Sequence, residues 1–546
     1  MVTILALVAC QGEPPAGSDP DPRDPTADPE VVVELPPVAL LTRASLDLRG
    51  VRPSPDEIAR VEADPTSLDA ELDAFMADDR FGDRVADLFA EVFLTETETY
   101  LVNFAGFDVA DVPYADVVGA IGREPLEVLA TIAREDLPVT ELVTADWTMA
   151  DDVLARMWPV DYPAGETGWK KVHYTDARPA AGLLAANSMW WRYQTTDSNA
   201  NRGRANVVSR LFLCHDYLTR PIEFDRNVNL LDEAAITDAL RTNPGCMNCH
   251  VSLDPLAAYF FGFSYQEFTG AEVSEYHPAR ERNWELVLGT PPAYYGDPGD
   301  SLADLGRQIA GDNRFPECVV EHVTELLLRR DTSLLDADRL TAHREALLAG
   351  GMTLRPLFDS VLHSPEYRAA TDAGLPGTGV PLKMVTPSLL ASQVRDLTGF
   401  DWETADGYDL IGSDSVGFLS LAGGADGVYA VKNSTSPNTT LLLVQERLAE
   451  AASDFVVSND LADPANARLF TAIDFTETPD TDRDAMAAQI QQLHLRLFAH
   501  RVDADGQEVE ANLGLWSDLY AVDHDPVRAW TGVLSALLRD PDFLLY

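Results

Sequence analysis

Cysteine is scarce in this chain: there are five in 546 residues, and none after Cys318. The C-terminal part therefore has no thiol of its own for a disulfide or a thioether-linked cofactor. Basic residues are also few, 40 against 89 acidic, for a formal charge of -49. A surface so negative repels phosphates, which excludes nucleic acid as a partner. It is a solvated face first and a docking surface for a basic partner second. No stretch after the first ten residues is apolar for long enough to span a bilayer. The chain also has no nucleophile elbow, no H-E-x-x-H and no phosphate loop, and carboxylate pairs are too common in so acidic a sequence to indicate acid and base roles. Whether it is an enzyme stays open on these grounds.

Two of the five cysteines fall in Cys246-Met247-Asn248-Cys249-His250, the only C-x-x-C-H of the chain. With so few cysteines and histidines, chance would produce such a pentapeptide on the order of once in a thousand sequences. Thiols three positions apart can each add to one vinyl group of a haem, and the adjoining imidazole can then ligate the iron. At i, i+3 and i+4, Cys246, Cys249 and His250 share one helix face. Two other readings remain open: a Cys246–Cys249 disulfide or redox pair beside an incidental histidine, and a zinc site completed from elsewhere. Upstream, Asp232 to Thr242 reads as an amphipathic helix that Asn243-Pro244-Gly245 ends. Downstream, Pro255 predicts a short haem-binding turn, from about Cys246 to Leu253. Tyr259, Phe260, Phe261, Phe263, Tyr265 and Phe268 form an aromatic run that could cover a porphyrin face or fill a core.

The chain opens with an apolar run ending Leu7-Val8-Ala9-Cys10, similar to a bacterial lipobox. Cleavage before Cys10 and lipidation of its thiol would anchor the protein by acyl chains alone. Residues 1–10 are thus read as signal and anchor, and 11–38, rich in Pro and Asp, as an extended tether. Haem attachment of the c type takes place after export, so both signals point to the cell envelope, as a periplasmic or outer-membrane lipoprotein. In such an oxidising compartment two readings of the remaining cysteines, Cys214 and Cys318, stand side by side: a disulfide between them, or two separate buried thiols.

Most of the body reads as helix, and the fold class expected is mainly α. In Asp484 to Phe498, Met486, Ile490, Leu493 and Leu497 make one buried stripe. A pattern of helix, acidic turn and aromatic occurs at Phe75 to Phe81 and at Ile309 to Phe315, and more loosely at Val361 to Tyr367 and Leu537 to Phe543. Asp47-Leu48-Arg49-Gly50 is echoed by Asp396-Leu397-Thr398-Gly399. This predicts two related helical halves, 39–372 and 381–546, the first carrying a cytochrome c-like segment over about 200–372.

Several of these stretches together resemble the planctomycete-type cytochrome-associated domains, uncharacterised bacterial families often found with C-x-x-C-H. They are Leu41 to Gly50 with Pro53 and Pro55-Asp56-Glu57, Cys246 to Pro255, Leu305 to Tyr367 with Cys318, and Val394 to Gly399 with the C-terminal Leu537 to Tyr546. Phe261-Gly262-Phe263-Ser264-Tyr265 departs from the more acidic Glu-x-Phe-Asp of that pattern. The resemblance implies an exported, mainly helical bacterial protein with a haem c site and no established reaction. The expectation is then a lipid-anchored electron relay to an unidentified redox partner, with Cys246 and Cys249 as thioether sites and His250 as axial ligand. A haem-free envelope scaffold with a Cys246–Cys249 disulfide is the alternative. For a sixth iron ligand, Met352 in its Gly-Gly-Met turn comes first and Met189 second, with His215 and His363 behind them. Each of these is otherwise an ordinary core or surface residue.

Overall fold

A computed structural model describes residues 33–196, 198–219, 228–229, 231–263, 273–370 and 382–546. Over these residues the chain is mainly helical, 59% helix and 4% strand. The strands form two short antiparallel pairs, Thr148–Ala150 with Lys170–Val172 and Ala293–Tyr294 with Asp297–Pro298. Cys10 and most of the expected tether lie outside the described residues. The tether's last residues do not form a free linker. Leu35 N–H donates to the Arg368 carbonyl at 2.9 Å and Ala370 N–H to Val33 O at 2.7 Å, so residues 33–35 are paired to the body, and the first helix begins at Pro37. Their alternating apolar side chains, with Leu35 and Val38 packed on the core, outweigh the Pro/Asp-rich composition of the segment before them.

Local signals account for many helix ends. The helix Pro37–Arg49 starts with Pro at its first position and stops at Gly50, whose φ of 70° closes the last turn through an N–H bond to Leu46 O. Helix Pro55–Ala63 opens with a complete capping box between Ser54 and Glu57. In the Asp-x-Arg-Phe turns, Asp78 Oδ1 accepts Arg80 N–H and Asp312 Oδ1 accepts Arg314 N–H, both at 2.9 Å. Each arginine then closes back on its aspartate, and Phe81 and Phe315 go fully into the core. The helix Arg483–Phe498 buries Met486, Ile490, Leu493 and Leu497 as its 3.6 periodicity requires.

Among the described residues there are three apolar cores. The largest runs from Leu40 to Tyr367, the next takes Leu46 and Met384 to Leu544, and a small one gathers Tyr100 to Trp191. A buried polar knot sits where the two larger cores meet. Asp47 accepts from Lys383 Nζ at 2.5 Å, Tyr367 Oη at 2.7 Å and Tyr546 Oη at 2.9 Å. Burial pushes the Lys383 ammonium down to about 8, with Asp47 opposing the shift, and pushes both tyrosines up.

Candidate cofactor site

Asp232 caps the helix Glu233–Thr242, its Oδ1 accepting Ala234 N–H at 3.0 Å and Ala235 N–H at 3.2 Å. Asn243 ends that helix and caps the next by accepting Gly245 N–H at 2.9 Å. The motif helix then runs Pro244–Ala257, longer than the expected Cys246 to Leu253 turn, and passes through Pro255. The proline removes only the N–H that would reach Val251 O. Val251 is 67% exposed, so the missing bond falls on the solvent side of the helix and not in the core.

On this helix Cys246, Cys249 and His250 are each half-buried, and both thiols are free. His250 Nδ1 lies 2.8 Å from Asp254 Oδ1, one turn on. Arg202 holds the same carboxylate through Nε at 2.7 Å and Nη2 at 3.0 Å. Burial would raise the pKa of Asp254, but the hydrogen bonds from His250 and Arg202 and the charge of Arg202 outweigh it and hold the group below the usual carboxylate range. An ionised Asp254 accepts only, so Nδ1 of His250 carries the hydrogen that faces it, and in the neutral ring Nε2 is the nitrogen left to ligate a metal. Ser252 meets Tyr217 Oη at 2.8 Å, and Tyr217 stacks edge-on with His215 at 4.8 Å. The motif helix packs against the helices Arg202–Leu213 and Glu233–Thr242 and against the strand Ala293–Tyr294.

The aromatic run plays a different part from the one it could have taken beside a porphyrin. Tyr259, Phe260, Phe261 and Phe263 are at most 4% exposed and belong to the large core, with Phe260 against Trp190 at 4.8 Å. Tyr265 and Phe268 lie outside the described residues. Met352 occupies the turn between the helices Ala337–Ala349 and Leu354–Leu362, where its carbonyl accepts Val139 N–H at 2.8 Å. Those helices pack on Arg314–Leu328 and Leu68–Ala77, whereas the motif helix has other neighbours. Met189 is core at 1% exposure. His363 is committed to Asp359 and Asp69, whose hydrogen bonds and charge raise it to about 9 against some desolvation. Of the four candidates, His215 is the one tied to the motif helix, through Tyr217.

Cys214 and Cys318 sit at disulfide distance, Sγ to Sγ 2.14 Å, with Cα atoms 5.2 Å apart. His322, one turn after Cys318, places Nε2 at 3.3 Å from Cys318 Sγ and 3.2 Å from Leu211 O. Sequence reasoning missed Arg202 and the role of Asp254. The i, i+4 spacing of His250 and Asp254 was a readable signal, whereas Arg202 reaches the site only through tertiary packing.

The residues present fit a covalently held haem in their donor set: two free thiols and an imidazole of fixed tautomer on one half-exposed face. No known family profile, curated protein or solved structure matches this chain.

Proposed function

We propose that this chain is an exported haem c protein that passes electrons to or from a partner in the cell envelope. The observation that carries the reading is the hydrogen bond from His250 Nδ1 to Asp254, because it prepares the C-x-x-C-H imidazole as a ligand through Nε2. Cys246 and Cys249 would hold the porphyrin through thioether bonds, and His250 would take the proximal position. The haem, when bound, supplies the one-electron chemistry. The protein's own part is to hold the ring nitrogen and, with Arg202, to keep Asp254 ionised. Cys10 would carry the lipid anchor and the preceding residues the export signal, with the membrane reached through acyl chains only. A chain of charge -49 suits a basic redox partner.

The regions 33–370 and 382–546 would be two copies of one helical plan. Support comes from matching ends. Glu34 pairs with Ala369 as Met384 pairs with Leu545, Gly50 and Gly399 both cap their helices with φ near 70°, and Ser364-Pro365 and Asp540-Pro541 begin matching terminal turns.

A pyridine haemochrome assay and an intact mass on protein isolated from its native envelope test the redox reading. The expected result is a c-type spectrum and one haem of added mass, both absent in Cys246→Ala/Cys249→Ala. Colourless protein would overturn it. The burial of the aromatic run favours one second reading, a haem-free scaffold whose Cys246 and Cys249 are joined. In that case the mass falls by two hydrogens and no Soret band appears.

A further inference from the structure

The proposal concerns a cleft away from the motif helix. It is a cavity of about 300 Å³ at the boundary between the two larger cores, and Arg49, Arg52, Arg80 and Arg496 all line it. In a chain with 40 basic and 89 acidic residues, four arginines around one small cavity run against the composition. Two of them are answered by carboxylates. Glu57 takes Arg49 in a two-point bridge at 3.0 and 3.1 Å, and Asp78 takes Arg80 at 2.9 Å with Asp396 a further 3.8 Å contact.

Arg52 and Arg496 are not so answered. Arg52 is 6% exposed, yet its guanidinium meets only neutral oxygens: Gln393 Oε1 at 3.0 Å, Asp542 O at 3.1 Å and Phe543 O at 3.4 Å. These engage Nε and Nη2, leaving Nη1 without a protein acceptor among the described residues. Arg496 gives Nη1 to the Arg468 carbonyl at 3.2 Å and makes no described ion pair. A buried guanidinium without a contacting counter-charge costs several kcal/mol, roughly the penalty per desolvated ion, unless something compensates it. Here it lines a space that solvent ions can enter. Burial lowers Arg52 to about 10, partly offset by the Asp542 charge, so it remains a cation at neutral pH.

We propose that this cleft binds a small oxyanion, a phosphate or a short dicarboxylate, held between Arg52 and Arg496. Guanidinium forks suit either, since both offer paired acceptor oxygens at the right spacing. Asp396 sets the selectivity, because its carboxylate competes for Arg80 and repels the ligand. Because the lining comes from both sides of the boundary, with Arg49 to Arg80 on one and Asp396 and Arg496 on the other, occupancy ties the two cores together. The site is independent of the haem reading.

Isothermal titration of the full chain with inorganic phosphate, and separately with succinate, at fixed ionic strength tests it. One saturable site is expected, and whichever anion saturates at lower concentration names the ligand class. Arg496→Gln, whose side chain makes only a carbonyl contact and whose fold is checked by circular dichroism, should weaken binding at least tenfold. Asp396→Asn should tighten it severalfold. Absence of saturable heat for both anions, or unchanged affinity in Arg496→Gln, overturns the proposal.

Discussion

The two cysteine pairs of this protein meet opposite fates. Cys214, at the end of the helix Arg202–Leu213, reaches across 104 residues to Cys318 in the helix Arg314–Leu328, and Cys318 is 1% exposed. Cys246 and Cys249 lie one turn apart on a single helix, half-buried and unjoined. The first pair sits inside a helix–helix contact, where a bond between sulfurs locks the packing and reagents are kept out. The second lies with His250 on one helix face, and all three side chains are only half-buried, within reach of solvent. Thiol chemistry here follows from position in the packing: long-range and buried puts two sulfurs at bonding distance, local and half-open leaves two free thiols.

The comparison breaks most visibly if the cross-link is removed. Cys214→Ala/Cys318→Ala releases a loop of about a hundred residues in the unfolded chain, and the chain-entropy cost is about 4 to 5 kcal/mol. Denaturant unfolding of the double variant should record a loss near that size, while the motif cysteines keep their reactivity. An unchanged midpoint would mean that the helix contact is held by packing alone.

A smaller effect sharpens the contrast from the side of His322. Burial of its ring lowers its pKa from 6.5 to about 4, with the hydrogen bond to Leu211 O opposing the shift and the charges of Arg210 and Lys432 adding to it. Between those two values the unfolded chain binds a proton that the folded chain refuses. Stability is therefore whole above pH 6.5 and falls as the pH drops toward 4, by up to about 3 kcal/mol. His322→Phe should flatten that slope relative to the parent in urea titrations across the window. Parallel slopes would sink the assignment.

Much of this was legible in the sequence, for a physical reason. Helix starts and stops depend on a few adjacent residues, so Asp232 as a cap and Asn243-Pro244-Gly245 as a break could be read directly, as could the stripe from Met486 to Leu497. The sequence left Cys214 and Cys318 open between a disulfide and two separate thiols, and the packing of their two helices brings the sulfurs to disulfide distance. Pro255 misled because its cost depends on which side of the helix faces water, a tertiary fact. The aromatic run stayed open between core and cofactor wall, because Tyr259 to Phe263 carry no mark distinguishing the two; Trp190, some seventy residues earlier, decides for the core. Met352 was proposed from a flexible-looking Gly-Gly-Met turn, but the helices that carry the turn pack elsewhere. Arg52 and Arg496 are invisible as a pair until the two cores are laid side by side.

The smallest effect bears most directly on the open pair. Asp254 is 14% exposed and holds both His250 and Arg202, which is itself 18% exposed. Asp254→Asn keeps the shape and removes the charge, leaving Arg202 with a neutral acceptor in a half-dry place. A loss of about 1.5 kcal/mol is expected in haem-free protein, the usual worth of a hydrogen bond to a charged group. Because the folded pKa of Asp254 is held below the unfolded one, its contribution is whole above the ordinary carboxylate range and disappears as pH falls through the lower folded value. The same substitution makes His250 a weaker electron donor, since Nδ1–H then faces an amide oxygen in place of a carboxylate. In haem-loaded protein the midpoint potential should therefore rise while the thioether bonds persist. Loss of stability with no shift in potential would separate a helix that needs the Arg202 bridge from an imidazole that does not use it.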